Sequence, residues 1–176
     1  MDIDIRRPKY ADAPELHLLF RTVISDTYIK EGIGELVDDM EDEIQTKEAY
    51  LKKDFSSNGE ERHFLVASKG GRIVGTIEFG PASSLILECT HGALSGLMEV
   101  GTVFVHPEFQ QRGIGSLLLS SIFRELGNRG IDECCLDSGY RTAQKIWKKR
   151  FGEPEYVLKD FWGKGFDHMI WKIHIR

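Results

Sequence analysis

Residues 110–116 read Gln-Gln-Arg-Gly-Ile-Gly-Ser. A β-rich run, Val103-Phe104-Val105, comes before them, and an apolar stretch with helical spacing, 116–123, comes after. Such a turn can be plain punctuation between two elements. It can also be an anion cradle. A helix starts with backbone N–H groups that lack intrahelical partners, and its dipole favours negative charge there. Glycines let a phosphate come close to that backbone. Arg112 adds a charge-assisted contact in that reading, or else faces solvent. Two other glycine motifs fail. Gly70 to Gly75 has P-loop spacing, but Thr76 stands where Lys is needed, and the segment reads as a hairpin. Gly113-Ile-Gly115 opens like a dinucleotide fingerprint, but Leu118 occupies the third glycine position.

The elements that must position this loop are legible around it. Ile3 and Ile5 alternate with charges, which predicts a strand over residues 2–7. Asp12-Ala-Pro-Glu15 is a helix start, followed by Leu16, Leu19, Phe20, Val23 and Ile24 at helical spacing. A second helical region is expected over 31–54, broken at Ile33-Gly34, with a loop over 56–61. Residues 63–68 and 72–80 predict a β-hairpin turned by Gly70-Gly71. A short strand is expected at 85–89, and the clearest strand of the chain at 97–105. Leu118, Leu119, Ile122, Phe123 and Leu126 form a helical face that ends at Gly127-Asn128. Residues 133–137 read as a buried strand, 140–151 as a helix and 169–175 as a final strand. Strands and helices in this order predict one α/β domain over residues 1–176, with a mixed sheet.

Composition narrows the class. The chain has 176 residues, 41% of them hydrophobic and 29% charged, as a soluble globular domain does. A net charge of −5 argues against a general nucleic-acid partner. No apolar run reaches the ~20 residues of a membrane span, and the first ten residues are too polar for a signal peptide. Cys89, Cys134 and Cys135 form no CxxC pair and read as reduced thiols of a cytoplasmic protein. Cys89-Thr-His91 suggests a ligand pair, but nothing nearby completes a metal set, so no metal is expected.

Gln110, Gly113 and Gly115, between that strand and that Leu-rich helix, resemble the pyrophosphate-binding motif Q/R-x-x-G-x-G/A of the GNAT acetyltransferase superfamily. The order of elements over residues 3–151 is similar as well. The resemblance implies a mixed, mostly antiparallel sheet flanked by helices and splayed between its fourth and fifth strands. It implies acetyl-CoA as co-substrate, with the diphosphate on the loop formed by Gln110, Gln111, Arg112, Gly113, Ile114, Gly115 and Ser116. The pantetheine arm would follow the fourth strand at Val103, Phe104 and Val105. The thioester would sit between Glu99–Val105 and Cys134–Ser138.

Acetyl transfer to an amine needs a base for the ammonium, a donor for the developing oxyanion and help for the departing thiolate. Glu99, on the fourth strand, is placed where relatives carry an acid; it serves as base, or only orients substrate. Glu78 is a second candidate. Relatives show N-x-x-A-x-x-x-Y on the helix after the fifth strand. Here the register gives Tyr140, Ala143 and Trp147, so Trp stands at the Tyr position. An indole N–H donates a hydrogen bond but supplies no proton at ordinary pH. Ser138, Tyr140 or solvent is left to assist the thiolate. Ala143 and Trp147 would line the cofactor path, or Trp147 would serve as core packing.

The implied partner is a small-molecule or peptide amine, with a homodimer left open. Residues 31–43 carry seven acids, which attract a cationic amine or form a solvated helix face. Lys145, Lys148, Lys149 and Arg150 meet the 3′-phosphate of coenzyme A, or again form a solvated face. A catalytically weak acyl-CoA-binding sensor is the rival class.

Overall fold

The computed structural model describes residues 2–175. The chain clusters into two compact units, Met1–Phe79 with Thr102–Glu125 and Gly80–Gly101 with Leu126–Arg176.

In the first unit, β1 (Asp4–Arg6) leads through a 3₁₀ turn (Tyr10–Asp12) into α1 (Ala13–Lys30) and α2 (Val37–Ser57). The hairpin β2 (His63–Lys69) and β3 (Arg72–Pro81) follows. The hydrogen-bonded order is β1-β2-β3 and then β4 (Met98–Val105), with β1 and β3 both antiparallel to β2. Gly70 and Gly71 turn the hairpin with φ of 57° and 81°, as the sequence predicts. β3 is buried from Ile73 to Gly80, so its sequence runs nearly continuously apolar instead of alternating. Its Gly75 lies against Leu118 and Ile114 of α4 (Ile114–Asn128), and Leu16, Phe20 and Ile24 of α1 and Ile122 of α4 are buried in the same unit. Gly75 is required here by a close approach: a Cβ would meet the Phe104 carbonyl oxygen at 2.9 Å. Asp12 does not cap α1 with its side chain. It accepts from Lys9 N at 2.7 Å and pairs with Arg6 at 2.8 Å, while Glu15 accepts from Ile73 N at 2.8 Å. Links to neighbouring elements therefore stand where a side-chain cap of this helix start would be.

In the second unit, the hydrogen-bonded order is β4, β5 (Glu133–Ser138), β7 (His168–His174) and β6 (Tyr156–Leu158). β4 (Met98–Val105) pairs in parallel with β5 (Glu133–Ser138) at only two positions, Met98–Cys134 and Glu99–Cys135. Pairing this short is what a splay after the first residues requires. β5 pairs antiparallel along its whole length with β7 (His168–His174). α5 (Arg141–Phe151) follows β5. Ile86, Leu94, Cys135 and Ile170 centre one core cluster.

Three local expectations are corrected. Residues 84–89 form a helix, α3 (Ser84–Cys89), because the Ser83 hydroxyl caps it by accepting from Ile86 N at 3.3 Å. A short apolar run is ambiguous between strand and helix, and the cap decides it. α2 runs on to Ser57, into the predicted loop, and ends on Asn58 at φ 51°. β6 (Tyr156–Leu158), absent from the sequence reading, pairs antiparallel with β7.

Candidate active site

The glycine loop in the first unit is shaped as an anion cradle demands. β4 ends at Val105, a 3₁₀ turn spans Pro107–Phe109, and α4 starts at Ile114. The first helical bond runs from Leu117 N to Gly113 O at 3.1 Å, so the amides of Ile114 and Gly115 lie ahead of the helical ladder. Gln111 and Gly113 both hold positive φ, at 61° and 82°. Gly115 needs no such freedom, and a Cβ there would meet no protein atom within 4 Å. Packing inside the protein therefore gives no reason for glycine at this position, whereas a phosphate approaching the backbone does. Ile114 is buried and anchors the turn, while Gln111, Arg112 and Ser116 face outward. Gln110 does not point into solvent alone. Its amide donates to Val105 O at 3.1 Å and its oxygen accepts from Lys30 Nζ at 3.4 Å, which ties the loop to the end of β4 and to α1.

Beside the loop, Phe109 gathers three cations. Lys69, Arg72 and Arg112 lie over its ring at 5.7, 5.3 and 5.2 Å from the centroid. Arg112 thus belongs to a basic cluster supplied by the β2–β3 turn. The sequence reading missed Lys69 and Arg72; their place at that turn was the available signal.

Val103, Phe104 and Val105 are half-buried, and Phe104 packs edge-on to Phe20 at 6.0 Å. Just before them Thr102 adopts φ 48°, in the middle of a strand and with a β-branched side chain. That conformation costs on the order of 1–3 kcal/mol and needs support. Thr76 Oγ1 donates to Thr102 O at 2.8 Å, and Thr102 Oγ1 donates to Glu78 Oε2 at 2.7 Å. Arg62 pairs with the other Glu78 oxygen at 2.6 Å and lies 3.8 Å over the Tyr50 ring. Glu78 is only 2% exposed, and both its oxygens are engaged. The second candidate base is therefore held between Thr102 of β4 and Arg62.

In the second unit, Glu99 Oε1 accepts from Ser83 N at 2.8 Å, so the candidate base also steadies the start of α3. Glu99 lies opposite Cys135, and Asp137 follows on the same face two residues along. Burial first, then the carboxylates of Glu99 and Asp137 among the charges, pushes the Cys135 thiol up to about 12. Burial alone does the same for Cys134. Ser138 is buried and its hydroxyl accepts from Tyr140 N at 3.0 Å, so these two predicted residues do meet. Tyr140 is the N-cap of α5. Gln144 is buried and donates to Ser138 O at 2.9 Å and to Asp167 O at 3.0 Å. Ala143 is half-buried. Trp147 is 8% exposed and stacks on Phe151 at 5.8 Å. Lys145, Lys149 and Arg150 are exposed and Lys148 half-buried. In the first unit the acidic run is partly paired, Glu41 taking both guanidinium nitrogens of Arg21 at 2.9 and 3.1 Å. No helix is long and apolar enough to cross a membrane, and no group of three or more metal-ligating side chains forms, among the described residues.

Comparison with solved structures gives the same fold over nearly the whole chain. A protein from Desulfovibrio desulfuricans assigned to the GNAT acetyltransferases is 19% identical, with a TM-score of 0.74 and coverage of 99% of this chain and 100% of that one. The PaiA N-acetyltransferase of Thermoplasma acidophilum, solved with coenzyme A, is 21% identical, with a TM-score of 0.71 and 99% coverage of both chains. YncA of Salmonella typhimurium, assigned as an acetyltransferase and solved with acetyl-CoA, is 16% identical, with a TM-score of 0.70 and coverage of 100% and 95%. No protein of curated function matches the sequence significantly. The model of the acetyltransferase (GNAT) family matches residues 29–153, a span that contains the glycine loop, β4 and β5. The chain belongs to the GNAT family of acetyltransferases.

Proposed function

We propose that the chain moves an acetyl group from acetyl-CoA to a primary amine of a small molecule or peptide, by direct attack of the amine on the thioester. The observation that carries this reading is Gly115, a glycine at a helix start whose missing Cβ leaves room that no protein atom fills. Relatives of the same fold bind coenzyme A or acetyl-CoA, in agreement with that cradle. In this reading residues 110–116 hold the diphosphate, with Lys69, Arg72 and Arg112 supplying charge beside it. The pantetheine follows the backbone of Val103–Val105. Glu99 takes the ammonium proton, the nitrogen attacks the carbonyl carbon, and the C–S bond breaks as the nitrogen gives up its second proton to solvent. The thiolate leaves with a proton from solvent or with help from Ser138 and Tyr140. The whole chain, 1–176, acts as one acetyltransferase domain, which accords with a family match that runs through both compact units.

A second reading, an acyl-CoA-binding regulator, draws on Trp147, an indole packed on Phe151 where relatives carry tyrosine. One experiment separates the two. Acetyl-CoA is offered with a panel of amines, amino acids and peptides, and free thiol is read. Thiol release above the hydrolytic rate with any acceptor supports the enzyme. Tight acetyl-CoA binding by calorimetry, with no release for the whole panel, supports the regulator.

A further inference from the structure

On the face of the sheet that carries Glu99, the second unit builds a hydrogen-bonded chain that the reading above does not use. His168 is 4% exposed. Its Nε2 lies 2.8 Å from Asp137 Oδ2, and its Nδ1 accepts from Trp162 Nε1 at 3.0 Å. An indole N–H can only donate, so Nδ1 must be the acceptor and Nε2 carries the proton, which it donates to Asp137. The imidazole is thereby fixed as one neutral tautomer, and one oxygen of Asp137 is held in place. The other oxygen, Oδ1, takes no hydrogen bond from any described residue, and the Asp137 side chain is 18% exposed.

The surroundings are built to hold this arrangement. A Cβ on Gly139 would meet Trp162 Nε1 at 2.7 Å, so glycine there is what lets the indole reach His168. The loop from 159 to 167 is pinned by Asp160 N to Asp167 Oδ1 at 2.8 Å, Gly165 N to Asp160 Oδ1 at 2.8 Å and Trp162 N to Phe166 O at 3.0 Å. On the side of His168 away from Asp137, the rings of Phe161 and Trp162 stand 42% and 55% exposed, at 5.8 and 5.7 Å from the imidazole.

A fixed carboxylate with an open oxygen is the chemistry that receives an organic ammonium through a charge-assisted hydrogen bond. We propose that Asp137 receives an ammonium group of the acceptor, with His168 and Trp162 as positioning residues that hold its carboxylate. This deepens the acetyltransferase reading and rests on it for the word acceptor. The ammonium is either the nitrogen that reacts, before it loses its proton, or a second charge elsewhere on the same molecule.

The test uses the whole chain with n-butylamine, 1,4-diaminobutane and neutral 1-butanol as probes. Heteronuclear NMR follows the His168 Nε2–H signal during each titration, and coenzyme A release is scored separately. At least one of the two amines is expected to shift that signal, and butanol is not. Asp137→Asn should weaken the amine at least about tenfold, the scale of one lost charge-assisted contact, with the acetyl-CoA affinity and Tm unchanged. His168→Gln, which keeps a donor toward Asp137, should bind the amine better than His168→Phe. An effect on both amines identifies the reacting nitrogen; an effect on the diamine alone identifies a second charge. The proposal is overturned if neither amine shifts the signal, if butanol shifts it equally, or if Asp137→Asn binds amines as the wild type does. Amine binding without any thiol release would instead count against the acetyltransferase reading and leave the ammonium site standing.

Discussion

Thr102 holds a left-handed backbone, φ 48°, and donates its hydroxyl proton to Glu78 at 2.7 Å. The strand leaves extended backbone geometry at the point where the proposed pantetheine path begins, and a buried carboxylate braces that residue. Thr102→Val keeps the β-branch but removes the donor, leaving a buried Glu78 oxygen short of a partner. A loss of about 1–3 kcal/mol is expected from that alone. Thr102→Gly loses the same bond but relieves the backbone strain. Urea unfolding should therefore find the glycine variant less destabilised than the valine variant. The opposite order would mean that the strain is not borne by this residue.

Gly115→Val separates cofactor binding from folding. A Cβ here meets no atom beyond its own helical turn within 4 Å, so stability should change by less than about 0.5 kcal/mol. Coenzyme A affinity, read by calorimetry, should fall at least about tenfold as the diphosphate loses its approach to the amides. Gly113 is a poorer probe, because its φ of 82° strains any replacement.

Glu99→Gln bears on the base. Turnover should drop strongly at neutral pH and much less at alkaline pH, where the acceptor deprotonates unaided. The amide can still accept from Ser83 N, so α3 should remain in place. A pH–rate profile identical to that of the wild type would leave Glu99 as the anchor of α3 alone.

Trp147 tests contact against proton transfer. Trp147→Phe should keep most of the turnover, since a flat ring still stacks on Phe151. Trp147→Ala should raise the KM for acetyl-CoA and cost about 3–5 kcal/mol of stability through the cavity it opens. Loss of turnover in a well-folded Trp147→Phe protein would assign the indole N–H a specific role.

The thiols give a pH signature. An unfolded chain ionises its cysteines near the ordinary value of 9.0, while the folded chain keeps Cys134 and Cys135 protonated up to about 12. The folded value is the higher one. Their contribution to stability is thus complete below 9.0 and is lost as the pH climbs from there toward 12. Urea midpoints should fall across that window, and Cys134→Ala/Cys135→Ala should flatten the fall. Cys89 is less buried, and its thiol is raised by burial first and then by Asp137 and Glu88. Iodoacetamide should label Cys89 first, and Asp137→Asn should speed that labelling.

Periodic segments were legible, and local chemistry explains where legibility stopped. The hairpin at Gly70-Gly71, β4 and the helix after the glycine loop all carry patterns that span a whole element. α3 was not legible as a helix, because six apolar-rich residues have no period and one serine cap decides them. The site divides the same way. Gln110 to Ser116 are contiguous, so their chemistry reads from the sequence. Asp137, Trp162 and His168 meet only because β7 returns beside β5 with Asp137 opposite Ile170. Arg62, Glu78 and Thr102 likewise belong to separate segments, and no local signal announces a threonine with positive φ.

Gly75 has a consequence for how the strands find one another. A Cβ at this point would stand 2.9 Å from the Phe104 carbonyl oxygen and 3.1 Å from Leu118. If β3 slid by one residue, Val74 or Thr76 would be driven against that oxygen and every side chain of the strand would change faces. A slide by two would bring Ile73 or Ile77 there instead. Within three residues of slip either way, only the native alignment presents a hydrogen atom to Phe104, so Gly75 acts as a key for strand register. Misaligned pairings during folding would be rejected by collision before any site residue is in place.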